Sequence, residues 1–334
     1  MKIIIPMAGL GTRMRPHTLT VKKPLIPLAG KPIVQRLVEN ISQVIGYKID
    51  EIAFVIGRFG KEVEEELALI AGAVGARSSI YYQDEALGTG HAVWCASQSL
   101  SGQVVVAFAD TLFYADFVLD PNADGTIWVQ EVSNPQSFGV VTVDDNDNIT
   151  GFVEKPKTPV SNLAIIGIYY FKDGERLQQQ LQQLLNENIR GNGEYQLTDA
   201  LENMRSEGFR FKPGKVKEWL DCGNKEATVF THARVLFNEQ QKPMIHQTLS
   251  KTNTVIIQPC FIDEGVIIED SVVGPYVSLG KNTIVRNSVV KNSIVQNNVI
   301  IENTLLTNSM IGNHAALKGS MNDLSLGDYN ILQL

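Results

Sequence analysis

Along the first two thirds of the chain, short apolar runs alternate with segments in which apolar residues recur at helical spacing. The apolar runs predict buried strands over residues 3–5, 51–56, 79–83 and 103–109. The helical spacing predicts helices over residues 33–45, 61–71 and 90–100, with Gly46 ending the first. Strands that alternate with helices predict an α/β fold with a mostly parallel sheet covered on both faces. Ligands of such sheets bind beyond the carboxyl ends of the strands.

Near residue 250 the pattern changes to short aliphatic groups separated by Asn, Ser and Gly. Aliphatic residues at 267, 273, 279 and 285 recur in steps of six, which is a hexapeptide repeat. The 16-residue segment that begins at Val285 also overlays the one that begins at Ile301. Aliphatic side chains would point inward, and Asn and Gly would take tight corners in the left-handed conformation. The pattern predicts a left-handed parallel β-helix of about four coils over residues 250–334, after an α/β domain over residues 1–240.

Composition limits the class of protein and of partner. The chain has 334 residues, 44% of them apolar and 19% charged, which is typical of a globular protein with two domains. A formal net charge of -7 without a basic stripe argues against a nucleic acid partner. Three scattered cysteines fit neither a disulfide framework nor a metal motif and predict a reduced compartment. Since no signal-peptide pattern is found and no apolar run approaches about 18 residues, we expect a cytoplasmic protein that does not span a membrane.

The stretch from residue 8 to residue 32, AGLGTRMRPHTLTVKKPLIPLAGKP, concentrates the candidate chemistry. Its first glycines, Gly9 and Gly11, directly follow the first strand and let the backbone present its N–H groups to an anion. Four cations crowd the same loop although the whole chain is acidic: Arg13, Arg15, Lys22 and Lys23. The loop therefore predicts a polyphosphate site. A dinucleotide-binding loop is excluded, because Met14 stands where the third glycine belongs.

The same stretch resembles the signature of the sugar-1-phosphate nucleotidyltransferases, G-x-G-T-R, P-x-T, K-P-L-x-P and K-P. The matching residues are Gly9, Gly11, Thr12, Arg13, Pro16, Thr18, Lys23, Pro24, Leu25, Pro27, Lys31 and Pro32. The resemblance implies a Rossmann-like nucleotidyltransferase domain followed by the β-helix. It also implies a nucleotide site that includes Ala8, Gly9, Gly11 and Thr12. Arg13 and Lys23 are then expected to be catalytic, stabilising the triphosphate and the departing pyrophosphate.

The segment YYQDEALGTGHAV predicts the site of the nucleobase. A glutamine offers one donor and one acceptor, so Gln83 can pair with a base edge, although a solvent-facing turn glutamine is the alternative. In the resembled family the pyrimidine-nucleotide enzymes carry glutamine here, which implies that Gln83, Leu87 and Gly88 bind the base of dTTP or UTP. His91 is expected to cap or pack at the start of the following helix rather than to act as a catalyst.

Two carboxylates at the ends of apolar runs are candidate metal ligands. Asp110 follows the strand VVVAFA, and Asp221 lies in WLDCG, which matches the family's W-x-D-x-G. A carboxylate that follows a buried strand is costly unless it reaches water, a cation or donors. The resemblance implies that both bind Mg²⁺, which suits carboxylates, phosphate oxygens and water, and that Asp110 is catalytic.

The sugar phosphate is assigned to residues between these carboxylates. The resemblance implies contacts from Gly139, Glu154, Lys155, Asn162 and Gly167, with Glu154 accepting from sugar hydroxyls and Lys155 neutralising the phosphate. Phe138 stands where the family usually has tyrosine, so one hydroxyl contact is missing. Glu194 either positions substrate or caps the helix that begins near Leu197; both readings stay open.

Together these motifs predict an enzyme that transfers a nucleotidyl group from a nucleoside triphosphate to a sugar 1-phosphate, with glucose 1-phosphate and dTTP or UTP favoured. We also expect a homo-oligomer assembled through the β-helix. Three alternatives stay open. The β-helix can add a sugar N-acetyltransferase activity, for which His314 is the histidine within the clear repeats. The enzyme can instead be a guanylyltransferase acting on GTP and mannose 1-phosphate, or the chain can be a non-catalytic sugar-nucleotide sensor.

Overall fold

The computed structural model describes residues 1–115, 119–120 and 122–319. The chain forms two compact units, one of residues 1–26 and 31–227, the other of residues 27–30 together with the chain from residue 228. The sequence analysis places the boundary between residues 240 and 250 instead. The difference concerns the helix Lys225–Glu239, which buries Thr228, Thr231 and His232. His232 Nε2 lies 2.5 Å from Ser278 Oγ, so most of this helix groups with the second unit.

Thirteen strands and six helices precede residue 250. The strands are β1 (Lys2–Pro6), β2 (Pro27–Leu28), β3 (Lys31–Pro32), β4 (Glu51–Ile56), β5 (Arg77–Tyr82), β6 (Val104–Ala107), β7 (Thr111–Tyr114), β8 (Gly125–Glu131), β9 (Gly139–Val143), β10 (Ile149–Glu154), β11 (Leu163–Phe171), β12 (Phe211–Lys215) and β13 (Glu218–Asp221). The helices are α1 (Ile33–Val44), α2 (Lys61–Ala73), α3 (Thr89–Cys95), α4 (Gly174–Asn186), α5 (Leu197–Ser206) and α6 (Lys225–Glu239). Single 3₁₀ turns lie at Thr12–Met14, His17–Leu19, Lys23–Leu25, Ser97–Ser99 and Pro135–Ser137. These bounds apply to the described residues.

The first unit is built on one mixed sheet in the strand order β10-β9-β11-β6-β1-β4-β5, with β8 pairing β11 and β12. The predicted parallel arrangement holds for β6, β1, β4 and β5, and a helix lies in each connection from β1 to β4, from β4 to β5 and from β5 to β6. In the other half β11 runs antiparallel to β6, β8 and β9. The turn between β9 and β10 is only five residues long, and a connection that short joins antiparallel strands. The α/β class is therefore confirmed with a mixed rather than a mostly parallel sheet.

Apolar burial positions the ends of the central strands. The side chains of β4 and β6 are buried throughout, as are Ile3, Ile4 and Ile5 of β1. Strands covered on both faces read as continuous apolar runs, which is why the sequence shows them clearly. Helix α3 is shorter than predicted, because Ala96 leaves helical geometry before the turn Ser97–Ser99. No helix among the described residues is long and apolar enough to cross a membrane.

The second unit contains three stacks of short parallel strands, which is the arrangement of a left-handed parallel β-helix. One stack contains β14 (Ser250–Thr252), β17 (Ile267–Glu269), β20 (Ile284–Arg286), β23 (Ile300–Glu302) and β26 (Ala316–Lys318). The second contains β15 (Val255–Ile256), β18 (Val272–Val273), β21 (Val289–Lys291) and β24 (Leu305–Thr307). The third contains β16 (Cys260–Ile262), β19 (Val277–Leu279), β22 (Ser293–Val295) and β25 (Met310–Ile311).

Each coil is shorter than three hexapeptides would make it. Ile268 pairs with Val285 and Val285 with Ile301, so successive coils repeat after 17 and 16 residues. The inward residue of β17 is the fully buried Ile268, whereas the steps of six pointed to Ile267, which is only partly buried. The predicted corners are confirmed, since Asn282 and Asn298 both have positive φ.

Candidate active site

A cavity of about 380 Å³ opens beyond the carboxyl end of β1 in the first unit. The predicted phosphate-loop, base and catalytic residues that line it are Ala8, Gly9, Gly11, Thr12, Arg13, Lys23, Gln83, Gly88 and Asp110. They come from the loops that follow β1, β5 and β6, which belong to the parallel half of the sheet; β6 lies next to β1, and β4 separates β1 from β5. The fold thus brings together residues that lie up to about one hundred positions apart in the sequence, at the sheet edge where α/β proteins bind ligands.

The glycine loop is tight at Gly11 and open at Gly9. Gly11 has φ +60°, and a Cβ there would lie 2.9 Å from Lys23 Cβ and 3.0 Å from Thr18 Cγ2. Thr18 Oγ1 also donates a hydrogen bond to the Gly11 carbonyl at 2.8 Å, which closes the loop on itself. No atom lies within 4 Å of a Cβ built on Gly9. Gly11 is therefore required by the loop's own packing, whereas Gly9 leaves free space beside the cavity.

Lys23 is a nearly buried cation that faces a carboxylate. Its residue is 8% exposed, and Nζ donates to Asp110 Oδ2 at 2.7 Å. The Asp110 side chain is 40% exposed, so it also faces the cavity. Arg13 is exposed and has one guanidinium nitrogen 3.3 Å from the position that a Cβ on Gly223 would occupy. Both predicted catalytic cations therefore border the carboxylates.

Strand pairing brings the two predicted metal ligands together. β13 runs antiparallel to β7 with Asp221 opposite Thr111, and the Cys222 N–H donates to the Asp110 carbonyl at 2.9 Å. Burial and, after it, the negative charge of Asp110 raise the pKa of Asp221. The charges of Lys23 and Arg13 and the N–H of Gly223 act in the opposite direction but do not cancel the shift. The charged form of Asp221 is thus disfavoured mainly by burial and, after it, by the nearby charge of Asp110.

This pair of carboxylates fits a divalent cation. Mg²⁺ prefers oxygen ligands and seldom takes an all-protein cage, so two carboxylates supplemented by phosphate oxygens and water suit it. No group of three or more His, Cys, Asp or Glu residues that could hold a metal is found in the described ranges. The residues present therefore fit a cation that arrives together with a polyphosphate rather than one held by the protein alone.

Gln83 is fixed inside the protein by its amide nitrogen. Nε2 donates to the Gly88 carbonyl at 3.2 Å and lies 3.1 Å from His91 Nδ1. The sequence analysis assumed that the side chain offers both a donor and an acceptor to a base. At least one amide hydrogen is therefore used inside the protein, and the second is directed to His91 Nδ1 when that ring nitrogen carries no proton; the contact of Gln83 with a base stays a prediction. His91 packs at the start of α3 as expected, stacked on Trp94 with ring centroids 6.1 Å apart.

Of the other two predicted base residues, one lines the cavity and one does not. Gly88 has φ +115°, and a Cβ there would lie 2.5 Å from the Tyr195 carbonyl oxygen. Leu87 is absent from the cavity lining among the described residues, and its side chain packs against the apolar core instead. Its carbonyl accepts from the Tyr195 N–H at 2.8 Å, so Leu87 acts by fixing the chain beside Gly88.

The open question on Glu194 is resolved by the start of α5. The N-cap of that helix is Gln196, not Glu194, and Glu194 lines the cavity. Thr89, which the sequence analysis did not single out, also lines it and accepts from the Leu197 N–H at 3.0 Å. Its place inside the turn between Gly88 and Gly90 was the available signal. Phe108, another missed lining residue, lies two positions before Asp110.

The predicted sugar residues form a second group that does not line this cavity. Gly139 pairs with Glu154 across β9 and β10, and a Cβ on Gly139 would lie 2.8 Å from Glu154 Oε2. Lys155 Nζ lies 3.8 Å from Glu154 Oε1, and Thr198 Oγ1 donates to Glu154 Oε2 at 3.3 Å. Burial is the main cause that raises the pKa of Glu154; Lys155 opposes it, and the charge of Glu194 adds to it.

Two contacts connect the sugar group with the cavity, and one predicted residue stays outside both. The carbonyl of Gly167 accepts from the N–H of Phe108, a lining residue, at 2.9 Å. Phe138 packs edge-on against Trp219, two residues before Asp221, with ring centroids 5.1 Å apart. The Asn162 carbonyl accepts from the Val132 N–H, and no described contact of its side chain joins it to the group.

Comparisons with known proteins show the family of the chain. The nucleotidyl transferase family matches residues 2–236. The low-salt glycan biosynthesis nucleotidyltransferase Agl11 of Haloferax volcanii is 31% identical over 252 residues, which are 72% of this chain and 68% of that protein. The glucose-1-phosphate thymidylyltransferase of Streptomyces antibioticus is 28% identical over 313 residues, which are 84% of this chain and 83% of that protein.

A longer relative and a solved structure extend the comparison. The bifunctional protein GlmU of Methanococcus aeolicus is 32% identical over 274 residues, which are 80% of this chain but 62% of that protein, so the chain spans less than two thirds of it. The crystal structure of a UDP-glucose pyrophosphorylase complexed with UDP-glucose is similar with a TM-score of 0.58 at 25% identity. The match covers 71% of this chain and 98% of that one.

Proposed function

The chain belongs to the nucleotidyl transferase family and is a sugar-1-phosphate nucleotidyltransferase, and we propose that it favours dTTP or UTP and glucose 1-phosphate. The observation that carries the proposal is the single cavity that joins the glycine loop, Lys23, Asp110 and the fixed amide of Gln83. Glucose is favoured because a glucose-1-phosphate thymidylyltransferase and a UDP-glucose pyrophosphorylase are among the similar proteins.

In the proposed reaction an oxygen of the sugar 1-phosphate attacks the α-phosphorus of the nucleoside triphosphate in line. One P–O bond forms as the bond to the bridging oxygen breaks, and pyrophosphate leaves with both electrons of that bond. This chemistry needs alignment and charge neutralisation more than a protein nucleophile. Arg13 and Lys23 would stabilise the triphosphate and the leaving pyrophosphate, and Lys155 would hold the attacking phosphate. The near burial of Lys23 supports its role, since water screens a buried charge weakly.

Enzymes of this family generally use a divalent metal ion, and we assign it to Asp110 and Asp221 as Mg²⁺. When bound, the ion would supply positive charge at the α-phosphate. The raised pKa of Asp221 supports the assignment, because burial and the neighbouring Asp110 disfavour its charged form, and a bound cation would offset both effects. The protein's own part is to hold both carboxylates in place through the pairing of β13 with β7.

The proposed choice of base rests on Gln83 Oε1, the side-chain oxygen that can accept a hydrogen bond from the base. Thymine and uracil carry an N–H at position 3, which can donate to Gln83 Oε1, whereas cytosine has an unprotonated acceptor nitrogen there. Two acceptors that face each other leave both unpaired, which costs about 1 to 3 kcal/mol when the groups are buried. Gly88, which also lines the cavity, allows the chain to turn closely beside this amide.

A matrix of nucleoside triphosphates against sugar 1-phosphates, read by pyrophosphate release with Mg²⁺, tests the proposal. We expect dTTP or UTP with glucose 1-phosphate to give the highest kcat/KM. A higher value with GTP and mannose 1-phosphate would assign the chain to the guanylyltransferases and overturn the base assignment. Binding of a sugar nucleotide without turnover on any pair would instead identify a sensor.

A further inference from the structure

His91 lies next to the base-reading amide but has no part in the reaction described above. Its ring is half-buried at the start of α3, with Nδ1 3.1 Å from Gln83 Nε2. Cys95 Sγ, one turn further along the helix, lies 3.9 Å from Nε2 and 4.0 Å from Nδ1. The ring is stacked on Trp94, which restricts its rotation. The histidine is therefore held in one orientation against Gln83.

The carbonyl of Gly88 fixes the orientation of the Gln83 amide. A carbonyl oxygen can only accept, so the Gln83 atom 3.2 Å from it must be the amide nitrogen. An amide nitrogen has two hydrogens, and the second one points to His91 Nδ1 only if that nitrogen carries no proton. The hydrogen of the neutral ring must then sit on the other nitrogen, Nε2. Rotating the amide by half a turn would set two acceptors, Gln83 Oε1 and the Gly88 carbonyl, against each other.

We infer that His91 is a positioning residue that locks the Gln83 amide with its oxygen toward the base, and thereby makes the enzyme reject cytosine. The inference rests on the proposed use of Gln83 to read the base. Gly88 alone leaves one amide hydrogen unpaired, and an unpaired hydrogen can turn to the N3 acceptor of cytosine. With His91 accepting that hydrogen, only the oxygen of Gln83 is offered, and uracil or thymine is selected by its N3–H.

The state of the ring makes the lock sensitive to pH. Burial lowers the pKa of His91, and the negative charge of Glu85, from the loop before Gly88, partly opposes this effect. From α3 the group facing the ring is the Cys95 thiol, whose own pKa is raised by burial, so it is uncharged near neutral pH. His91 is therefore neutral and able to accept above its ordinary pKa of 6.5. Below its lowered pKa, Nδ1 becomes a donor, opposes the Gln83 amide and releases the lock.

The test compares His91→Leu with His91→Asn in the full-length chain. Leucine removes the acceptor, whereas the side-chain oxygen of asparagine can take the place of Nδ1 and does not titrate. For the wild type we expect kcat/KM with UTP to exceed that with CTP by about 10- to 100-fold, as one unpaired group implies. His91→Leu should reduce this ratio by about tenfold, mainly through KM, and His91→Asn should restore it. Lowering the pH from about 8 through the lowered pKa of His91 should reduce the ratio in the wild type but not in His91→Asn.

A spectroscopic measurement separates failure of this inference from failure of the proposed function. Ring ¹⁵N shifts of histidine-labelled wild-type protein, with the His91 signals identified by their loss in His91→Leu, report which nitrogen carries the proton. We expect a proton on Nε2 and none on Nδ1 at about pH 8. A proton on Nδ1, or an unchanged UTP to CTP ratio in a folded His91→Leu protein, overturns the inference. If the wild type prefers a purine, the base assignment fails, and the ring tautomer still decides whether the lock exists.

Discussion

Asp110→Asn and Asp221→Asn should both lose most of their turnover, but they should change the free energy of unfolding in opposite directions. In Asp110→Asn, Lys23 loses the carboxylate 2.7 Å from its ammonium group while remaining 8% exposed. Leaving a nearly buried charge without its partner costs several kcal/mol when both groups are buried. The Asp110 side chain is 40% exposed, so solvent screens the pair, and we expect a loss of about 1 to 2 kcal/mol in the free energy of unfolding.

In Asp221→Asn a repulsion is removed instead. The pKa of Asp221 is raised above its ordinary 3.8 by burial and by the charge of Asp110. A carboxyl whose pKa is raised by folding contributes stability at acid pH, and this contribution is lost as pH rises through the raised pKa. At neutral pH the ionised group therefore destabilises the metal-free protein. We expect Asp221→Asn to be at least as stable as the wild type there, and to lose this advantage toward acid pH.

Both variants should lose most of their magnesium-dependent turnover. Removing several kcal/mol of charge stabilisation from the transition state lowers the rate by roughly a hundredfold or more. Urea unfolding in the presence of EDTA measures stability, and pyrophosphate release across a Mg²⁺ titration measures turnover. Asp145→Asn is the matched control, since this aspartate is exposed in the turn between β9 and β10 and should change neither. Wild-type rates in either carboxylate variant would refute the metal assignment, and wild-type stability of Asp110→Asn would refute the ion pair.

Three further predictions test packing, sugar binding and assembly. Gly88→Ala should lower the free energy of unfolding by about 1 to 3 kcal/mol and raise KM for the nucleotide. The control Gly72→Ala, in open space on α2, should raise the free energy of unfolding by about 0.5 to 1 kcal/mol and leave KM unchanged. Equal effects of the two substitutions in thermal unfolding would contradict this prediction. Because the pKa of Glu154 is raised above 4.5, KM of the wild type for the sugar 1-phosphate should increase as pH falls through that pKa. In Glu154→Gln this KM should be about tenfold higher and should not change with pH. Parallel pH profiles of the two proteins would exclude Glu154 as a ligand of the sugar. Light scattering should find a homo-oligomer whose mass falls in Leu305→Lys, because Leu305 is 84% exposed on the β-helix; a monomeric wild type would exclude assembly.

Local sequence patterns predicted those strands whose side chains are buried on both faces of the sheet. The strands β1, β4 and β6 are buried on both faces, so their apolar runs are visible without knowledge of their neighbours. The asparagine corners of the β-helix were predictable for a similar reason, because the left-handed conformation restricts the residue type at that position alone. The prediction of the inward residue of β17 was wrong by one position. A coil here has 16 or 17 residues rather than the 18 of three hexapeptides, so a constant step of six residues loses register.

The parts that local patterns could not give depend on pairing between distant segments. Nothing in the sequence around Asp221 shows that β13 pairs with β7 and so brings this carboxylate to Asp110; only the family's pattern suggested it. The side chain of Gln83 offers a donor and an acceptor in isolation, and only its distance to the Gly88 carbonyl shows that one amide hydrogen is already used. The place of the Leu87 side chain was likewise not visible in the sequence: it packs against the apolar core, and its carbonyl accepts from the Tyr195 N–H.

His314, which lies within the clear repeats, has the backbone conformation of the asparagine corners of the β-helix. His314 has φ +60°, and the residues one and two coils before it, Asn298 and Asn282, have φ +57° and +55°. The three therefore form one column of left-handed corners, at which a non-glycine residue is tolerated for its backbone conformation. His314→Asn should accordingly keep or slightly raise the melting temperature and leave pyrophosphate release unchanged. If the chain acetylates amino sugars from acetyl-CoA and His314→Asn abolishes that reaction, the histidine is a general base and the corner argument is wrong.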